Sequence, residues 1–248
     1  MINIFLEQRS LSEKWLKKGE ERTLQDKLYK ILIKGDSWKT ILGGLWVTVQ
    51  ISLFALILGT ILGALVCLLR TRKSPILRGI ASVFIAILRG TPVLMLLLLL
   101  YYGVFARAGL TPVTVAVVTF ALNVSAHVSE LLRAAWDATD KGQAEAARTL
   151  GFSAWSTFRL VTLPQVLRIA KPVYQSTIVN LIQWTSVVGY VTITDLTRVI
   201  NNTASRTMQP LITISIGMLI YLALSYIVFG IFAISDRAVA KKRGGDVA

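Results

Sequence analysis

Residues 43–73 read GGLWVTVQISLFALILGTILGALVCLLRTRK. The run from Gly43 to Leu69 carries no charged side chain and ends at the cations Arg70, Arg72 and Lys73. A helix needs about 20 mostly apolar residues to cross a bilayer, so this stretch predicts a membrane span with a basic stop. The whole chain agrees: 248 residues are 54% hydrophobic, with a mean hydropathy of +0.62. Few soluble domains of this size are so apolar. Lys and Arg number 27 against 13 Asp and Glu, a net charge of +14. On a soluble protein that balance points to nucleic acid. Here the cations lie between apolar runs, so they read as anchors at the membrane surface and no nucleic-acid partner is expected.

Working outward, Pro172–Thr194 and Pro210–Ser235 are also uncharged, and the second stops at Asp236 and Arg237, followed by Lys241, Lys242 and Arg243. Gly79–Ala106 is interrupted by Arg89-Gly90-Thr91-Pro92. Gly and Pro break the helical hydrogen-bond ladder, so this stretch is either one kinked span or a span preceded by an amphipathic helix along the interface. Thr111–Leu132 carries His127 and Glu130 near one end. The expectation is an all-α, multi-pass membrane protein of five spans. Its divisions are a charged amphipathic N-terminal tail (1–42), a membrane domain (43–235) and a basic tail (236–248).

Cations at Arg70–Arg78, throughout 133–171 and after 235 fall on one side of such a topology, which the positive-inside tendency places in the cytoplasm. The N-terminal tail, with nine Lys and Arg, falls outside and breaks that tendency. It patterns as an amphipathic helix around Trp15, Leu16, Leu24, Leu28 and Ile31. No secretory signal is expected, because Ile2–Leu6 is too short for its apolar core. Cys67 lies in an apolar run and reads as a small packing residue. Trp38, Trp46, Tyr101 and Tyr102 read as interface anchors.

The loop 137–171 is not a plain linker. Gln143–Leu150 is a strong helix former, Gly151 supplies a stop, and Ser153 can cap a second helix that Pro164 would end. Ala144 and Ala147 give the first helix a nearly flat face, with Glu145 and Arg148 able to pair elsewhere on it. A compact helix with a small-residue face suits docking into a partner's groove.

Glu145-Ala146-Ala147, Gly151 and Val161-Thr162-Leu163-Pro164 resemble the EAA motif of ABC-importer permeases, with valine at 161 where that pattern has isoleucine. Arg89-Gly90-Thr91-Pro92, Tyr101-Tyr102-Gly103, Ser129–Arg133 and Leu163-Pro164-Gln165 resemble its polar amino acid branch. Thr185–Tyr190, Asp195–Arg198 and Ser205-Arg206-Thr207 are similar to members fused to a substrate-binding domain, which the residues before the first span are too few to form. The resemblance implies the type I importer permease fold in a bacterial inner membrane. It also implies a cytoplasmic ABC ATPase dimer, a second permease copy (identical or related), a separate extracytoplasmic binding protein and an amino acid substrate. Gly142, Gln143, Glu145, Ala146, Ala147, Arg148, Gly151, Leu163 and Pro164 would then couple the chain to its ATPase. Gln183-Trp184 departs from the family's usual Lys followed by Asp or Met.

His127 and Glu130 share a helix face, and they serve either a pore or gate or a structural pairing with Arg133. In the fourth span Gln175, Ser176, Asn180, Gln183, Thr185 and Ser186 need protein or water around them. The Asn180, Gln183, Thr185 side, with Ser186, is the expected translocation path, although hydroxyl groups also simply pack membrane helices. One His without a Cys partner falls short of a metal-ligand set. No glycine-rich phosphate loop followed by Lys and Ser or Thr is present, so ATP is not expected to bind here by that route. The resemblance implies that ATP and Mg sit on the partner ATPase, and no cofactor is expected in this chain. Two other readings remain at this stage: an ion-gradient-driven secondary transporter or channel, and an intramembrane enzyme using Glu130 and His127.

Overall fold

The computed structural model describes residues 23, 25–34, 36–72 and 74–245, and every regular element among them is helical. The first long helix, α1 (Ser37–Arg70), begins ahead of the apolar run at Gly43. It does so because Ile41 finds a buried seat against Leu196, Val199 and Ile200. Most of the amphipathic tail expected over 1–42, with Trp15, Leu16 and Leu24, lies outside the described residues; Ile31 is buried at its end.

Next come α2 (Pro75–Gly90) and α3 (Val93–Leu98), the latter prolonged by wider turns over Leu99–Val104. The pair bends by 109° at the break expected from Arg89-Gly90-Thr91-Pro92. Pro92 has no amide hydrogen, so the Leu88 carbonyl loses the donor a continuous helix would supply. The buried Asn123 amide nitrogen donates to that carbonyl instead, at 3.0 Å. In hydrocarbon such an open carbonyl costs several kcal/mol unless it is paired, so the bend and Asn123 belong together.

Asn123 belongs to α4 (Pro112–Asp137), which starts with Thr111 as its N-cap, the side chain accepting from the Thr114 amide. Helix α4 is the centre of the molecule. Its apolar window is 72% buried, against 33% for α1 and 17% for the last helix, α9 (Pro210–Gly245). Two glycines decide how closely α1 approaches α4. A Cβ on Gly59 would stand 2.7 Å from Val124 and 2.8 Å from the Ala121 carbonyl, and one on Gly63 would meet Val128 and the Ser125 carbonyl at the same distances. The Gly59-x-x-x-Gly63 spacing thus lets two backbones meet, the way small residues join helices in membranes. Buried Ile51, Ala55 and Val66 extend the same α1 stripe.

Beyond α4 the chain forms α5 (Lys141–Thr149), a single turn α6 (Ala154–Thr157), wider turns over Phe158–Thr162, and then α7 (Leu163–Trp184). Neither proline does what the sequence suggested. Pro164 does not end a helix, and Pro172 lies inside α7 rather than at its start. The wide turns before Pro164 loosen the ladder where its ring would collide with the preceding turn, so the helix continues through it. Tight 3-10 turns over Thr185–Val191 follow.

The next connection is itself a helix, α8 (Leu196–Thr207), capped by both carboxylate oxygens of Asp195 on the amides of Thr197 and Arg198. It wedges between the first halves of α1 and α9. Gly44 meets the Asp195 carbonyl, and the Thr48 hydroxyl accepts from the Leu196 amide. Helices α1, α4 and α9 are each long and apolar enough to cross a membrane, and α2 with α3 makes a broken fourth. The fourth expected span, Pro172–Thr194, falls mostly in α7 and is not among them, because Arg168, Lys171, Gln175, Asn180 and Gln183 make that helix too polar.

Candidate functional site

The loop helices gather at one end of the bundle. Asp140 caps α5 by accepting from the Gly142 amide at 2.9 Å. Gly151, at φ +85°, ends it, and the Phe152 amide returns to the Ala147 carbonyl at 3.1 Å. Ser153 caps α6 as expected, accepting from Ser156. Gln165 donates to Gln143 at 2.8 Å, tying α5 to the start of α7, close to Leu163 and Pro164.

The small-residue face does not look outward. Ala147 is buried at 7% exposure and Ala144 is partly covered, because this side of α5 packs back on the loop's own second half. The exposed side carries Glu145, Ala146 and Arg148, and it leads to Leu150 at 79% exposure. Glu145 and Arg148 do not form the expected pair; the Arg148 guanidinium donates to the Phe152 carbonyl. Trp155, Phe152 and Leu160 are exposed around the same tip. The sequence reading takes Leu150 only as part of a strong helix former and does not single out Trp155, so this apolar rim is new in the structure. Its signal was three large apolar side chains within six residues of a charged, non-spanning loop.

Glu130, at the end of α4 facing this loop, bridges two elements. Its carboxylate accepts from Arg133 on its own helix and from Arg70 of α1, and Arg133 also reaches Asp137. Lys171 pairs with Asp236 of α9. Ion pairs therefore fasten α1 to α4 and, separately, α7 to α9.

Deeper in the bundle the expected path residues divide. Asn180 and Gln183 are exposed on α7, and Ser186 is half-buried. Gln183 and Ser186 open, with Met218, Tyr221, Leu222 and Ser225 of α9, onto a cleft of about 360 Å³. Thr185 turns the other way: it is fully buried and donates to the Ile182 carbonyl at 2.6 Å, so it packs the core rather than lining that cleft. His127 is half-buried and lies against the Trp184 ring, with centroids 5.3 Å apart. The cleft is open on one side, which is what half of a path would show.

The motif Asp195–Arg198 has a structural explanation. Besides the Asp195 cap, the Arg198 guanidinium donates to the Gly189 carbonyl at 2.6 Å, which fastens the 3-10 turns to α8. The Thr197 hydroxyl bonds Tyr221 of α9 at 2.9 Å. Burial pushes the Asp195 carboxyl up from the ordinary carboxylate range, against the pull of the two amides it caps.

Comparison with known proteins agrees with this architecture. The family described as binding-protein-dependent transport system inner membrane component matches residues 52–241. The probable amino-acid ABC transporter permease protein YckA of Bacillus subtilis is 36% identical over 163 residues, 65% of this chain and 72% of that protein. The L-cystine transport system permease protein TcyB of the same organism is 33% identical, covering 75% of this chain and 80% of that one. A crystal structure of an amino acid ABC transporter with histidines superposes with a TM-score of 0.75 at 27% identity, over 84% of this chain and 98% of that one. An inward-facing MetNI methionine ABC transporter shares the fold, with a TM-score of 0.69 at 20% identity. An all-helical bundle with a two-helix loop at one end and an open polar cleft, matched by this family over most of its length, is an ABC-importer permease subunit, and the chain belongs to the binding-protein-dependent transport system inner membrane component family.

Proposed function

We propose that the chain forms half of the translocation path of a bacterial inner-membrane importer for polar amino acids. A cytoplasmic ABC ATPase dimer, which binds ATP and Mg, seats against α5. A second permease copy, identical or related, closes the path, and an extracytoplasmic binding protein delivers the substrate. Relatives named for amino acid transport support the substrate class.

The observation that carries the reading is the pairing of two incomplete surfaces at different depths. At one end the exposed face of α5, with Glu145, Ala146 and Arg148, is rimmed by Leu150, Phe152 and Trp155, an apolar rim a soluble partner would cover. Gln143, Gly142 and Gly151 shape that face, the buried Ala147 holds it from beneath, and Leu163 and Pro164 stand beside the Gln143–Gln165 tie at the start of α7. Midway along, Gln183 and Ser186 line a cleft that one copy leaves open. Closure of the ATPases moves the loop, and the ion pairs of Arg70, Glu130, Arg133 and Asp137 carry that motion into α1 and α4.

Affinity capture of the tagged permease in mild detergent, with mass spectrometry, tests this. An ABC ATPase should accompany it, and Leu150→Asp or Glu145→Arg should remove the ATPase while the permease still elutes as a single species. Recovery of the permease alone from several detergents would count against the reading.

A further inference from the structure

The break between α2 and α3 leaves Arg89 in an unusual place. Asn123, which donates to the open Leu88 carbonyl, is near the middle of the 26-residue α4, so the break sits well inside the bilayer rather than at its surface. Arg89 is exposed on the isolated chain, and no described carboxylate pairs with it; Glu130 is already shared by Arg70 and Arg133. A guanidinium at that depth cannot face lipid cheaply, and it keeps its charge under all ordinary conditions. Its exposed face must meet water or a ligand.

The surroundings are those of a binding site. Helix α3, which follows the break, packs on the 3-10 turns Thr185–Val191, so two interrupted helices meet at this depth. On the α4 side of these turns His127 lies on Trp184, beside Gln183. Broken helices meeting within the membrane expose backbone groups and polar side chains to a path, the arrangement transporters use to hold substrate.

Resting on the importer reading above, we infer that Arg89 lines the translocation path and holds the carboxylate of the amino acid in transit. A planar guanidinium takes a carboxylate by two parallel hydrogen bonds, and a carboxylate is the group that polar amino acids share whatever their side chain.

Cys67 is the chain's single cysteine, so Cys67→Ser gives a background in which Arg89→Cys supplies the sole thiol. The assembled transporter in proteoliposomes is treated with water-soluble methanethiosulfonates carrying either ammonium or sulfonate. The thiol of Arg89→Cys should react as readily as that of a Lys141→Cys control in the exposed loop, and Leu58→Cys, on an exposed apolar face, should not react. Before labelling, ATP-driven uptake of a labelled mixture of polar amino acids by the Arg89→Cys transporter should fall about tenfold or more. The ammonium adduct should restore part of it and the sulfonate none. Arg89→Lys should likewise retain more uptake than Arg89→Ala, with ATPase capture unchanged in both. An unreactive Arg89→Cys thiol alongside a reactive Lys141→Cys control would overturn the inference, and so would normal uptake or equal rescue by either charge. Failure of the importer reading would show separately, as absence of ATP-driven uptake in the unsubstituted protein.

Discussion

At the scale of single residues, two glycines and one amide do what no charged group could. Gly59 and Gly63 bring α1 onto α4 with no room for a Cβ against Val124, Val128 and two backbone carbonyls. Gly63→Val should therefore force the helices apart and cost about 1–3 kcal/mol, as overpacking does, read as a lower midpoint of thermal unfolding in detergent. Gly79→Val is the matched control, because nothing lies within 4 Å of its Cβ. Asn123 answers the donor that Pro92 lacks, so Asn123→Leu should cost about 1–3 kcal/mol by leaving the Leu88 carbonyl unpaired. A Pro92→Ala change in the same chain should recover part of that loss, since an alanine amide can donate to Leu88 itself. These roles were partly legible. The glycine spacing and the Arg-Gly-Thr-Pro break stand in the sequence, but the residue that answers the break is 35 positions away, and nothing local marks it.

At the scale of elements, charge and apolar runs found the long helices, and turn chemistry found α5, with Gly151 as its stop and Ser153 as the next cap. The prolines misled, since a wide turn ahead of Pro164 absorbs its ring and the helix runs on. The orientation of α5 was also out of reach, because a small-residue face serves inward packing and outward docking equally well. Burial of Ala147 settles it. Bulk at Ala147, as in Ala147→Trp, should accordingly unfold the loop, visible as faster proteolysis between α4 and α7. Leu150→Asp should leave proteolysis unchanged and abolish ATPase capture. Gly151→Val puts a branched residue at φ +85°, a strain of about 1–3 kcal/mol, and should weaken capture by misdirecting Leu150. Helix α8 lies between two expected spans, and its polarity hides a buried stripe of Leu196, Val199, Ile200 and Ala204 that no apolar run marks.

At the scale of the whole molecule, the fold places a two-helix loop, the proposed docking surface, at one end and a cleft farther along, joined by α1, α4 and α7. The ion pair from Arg70 to Glu130 crosses between the two most closely packed helices, at the level where the loop meets the bundle. Glu130→Gln should keep the shape but weaken that joint, so uptake per ATP hydrolysed should drop while ATPase capture remains. The cleft beside α9 is open, and α9 is less buried than α1 and α4; on the proposed reading a second permease copy covers both.

On this reading, substrate moves through the chain at the expense of ATP hydrolysed on another. The decisive measurement is uptake of labelled polar amino acids into proteoliposomes holding the permease, its captured ATPase and the binding protein, with and without ATP at the ATPase face. Uptake should require ATP, disappear with Leu150→Asp and persist when protonophore and ionophore collapse every gradient. Uptake that continues without ATP and stops when the gradients collapse would contradict the proposed mechanism.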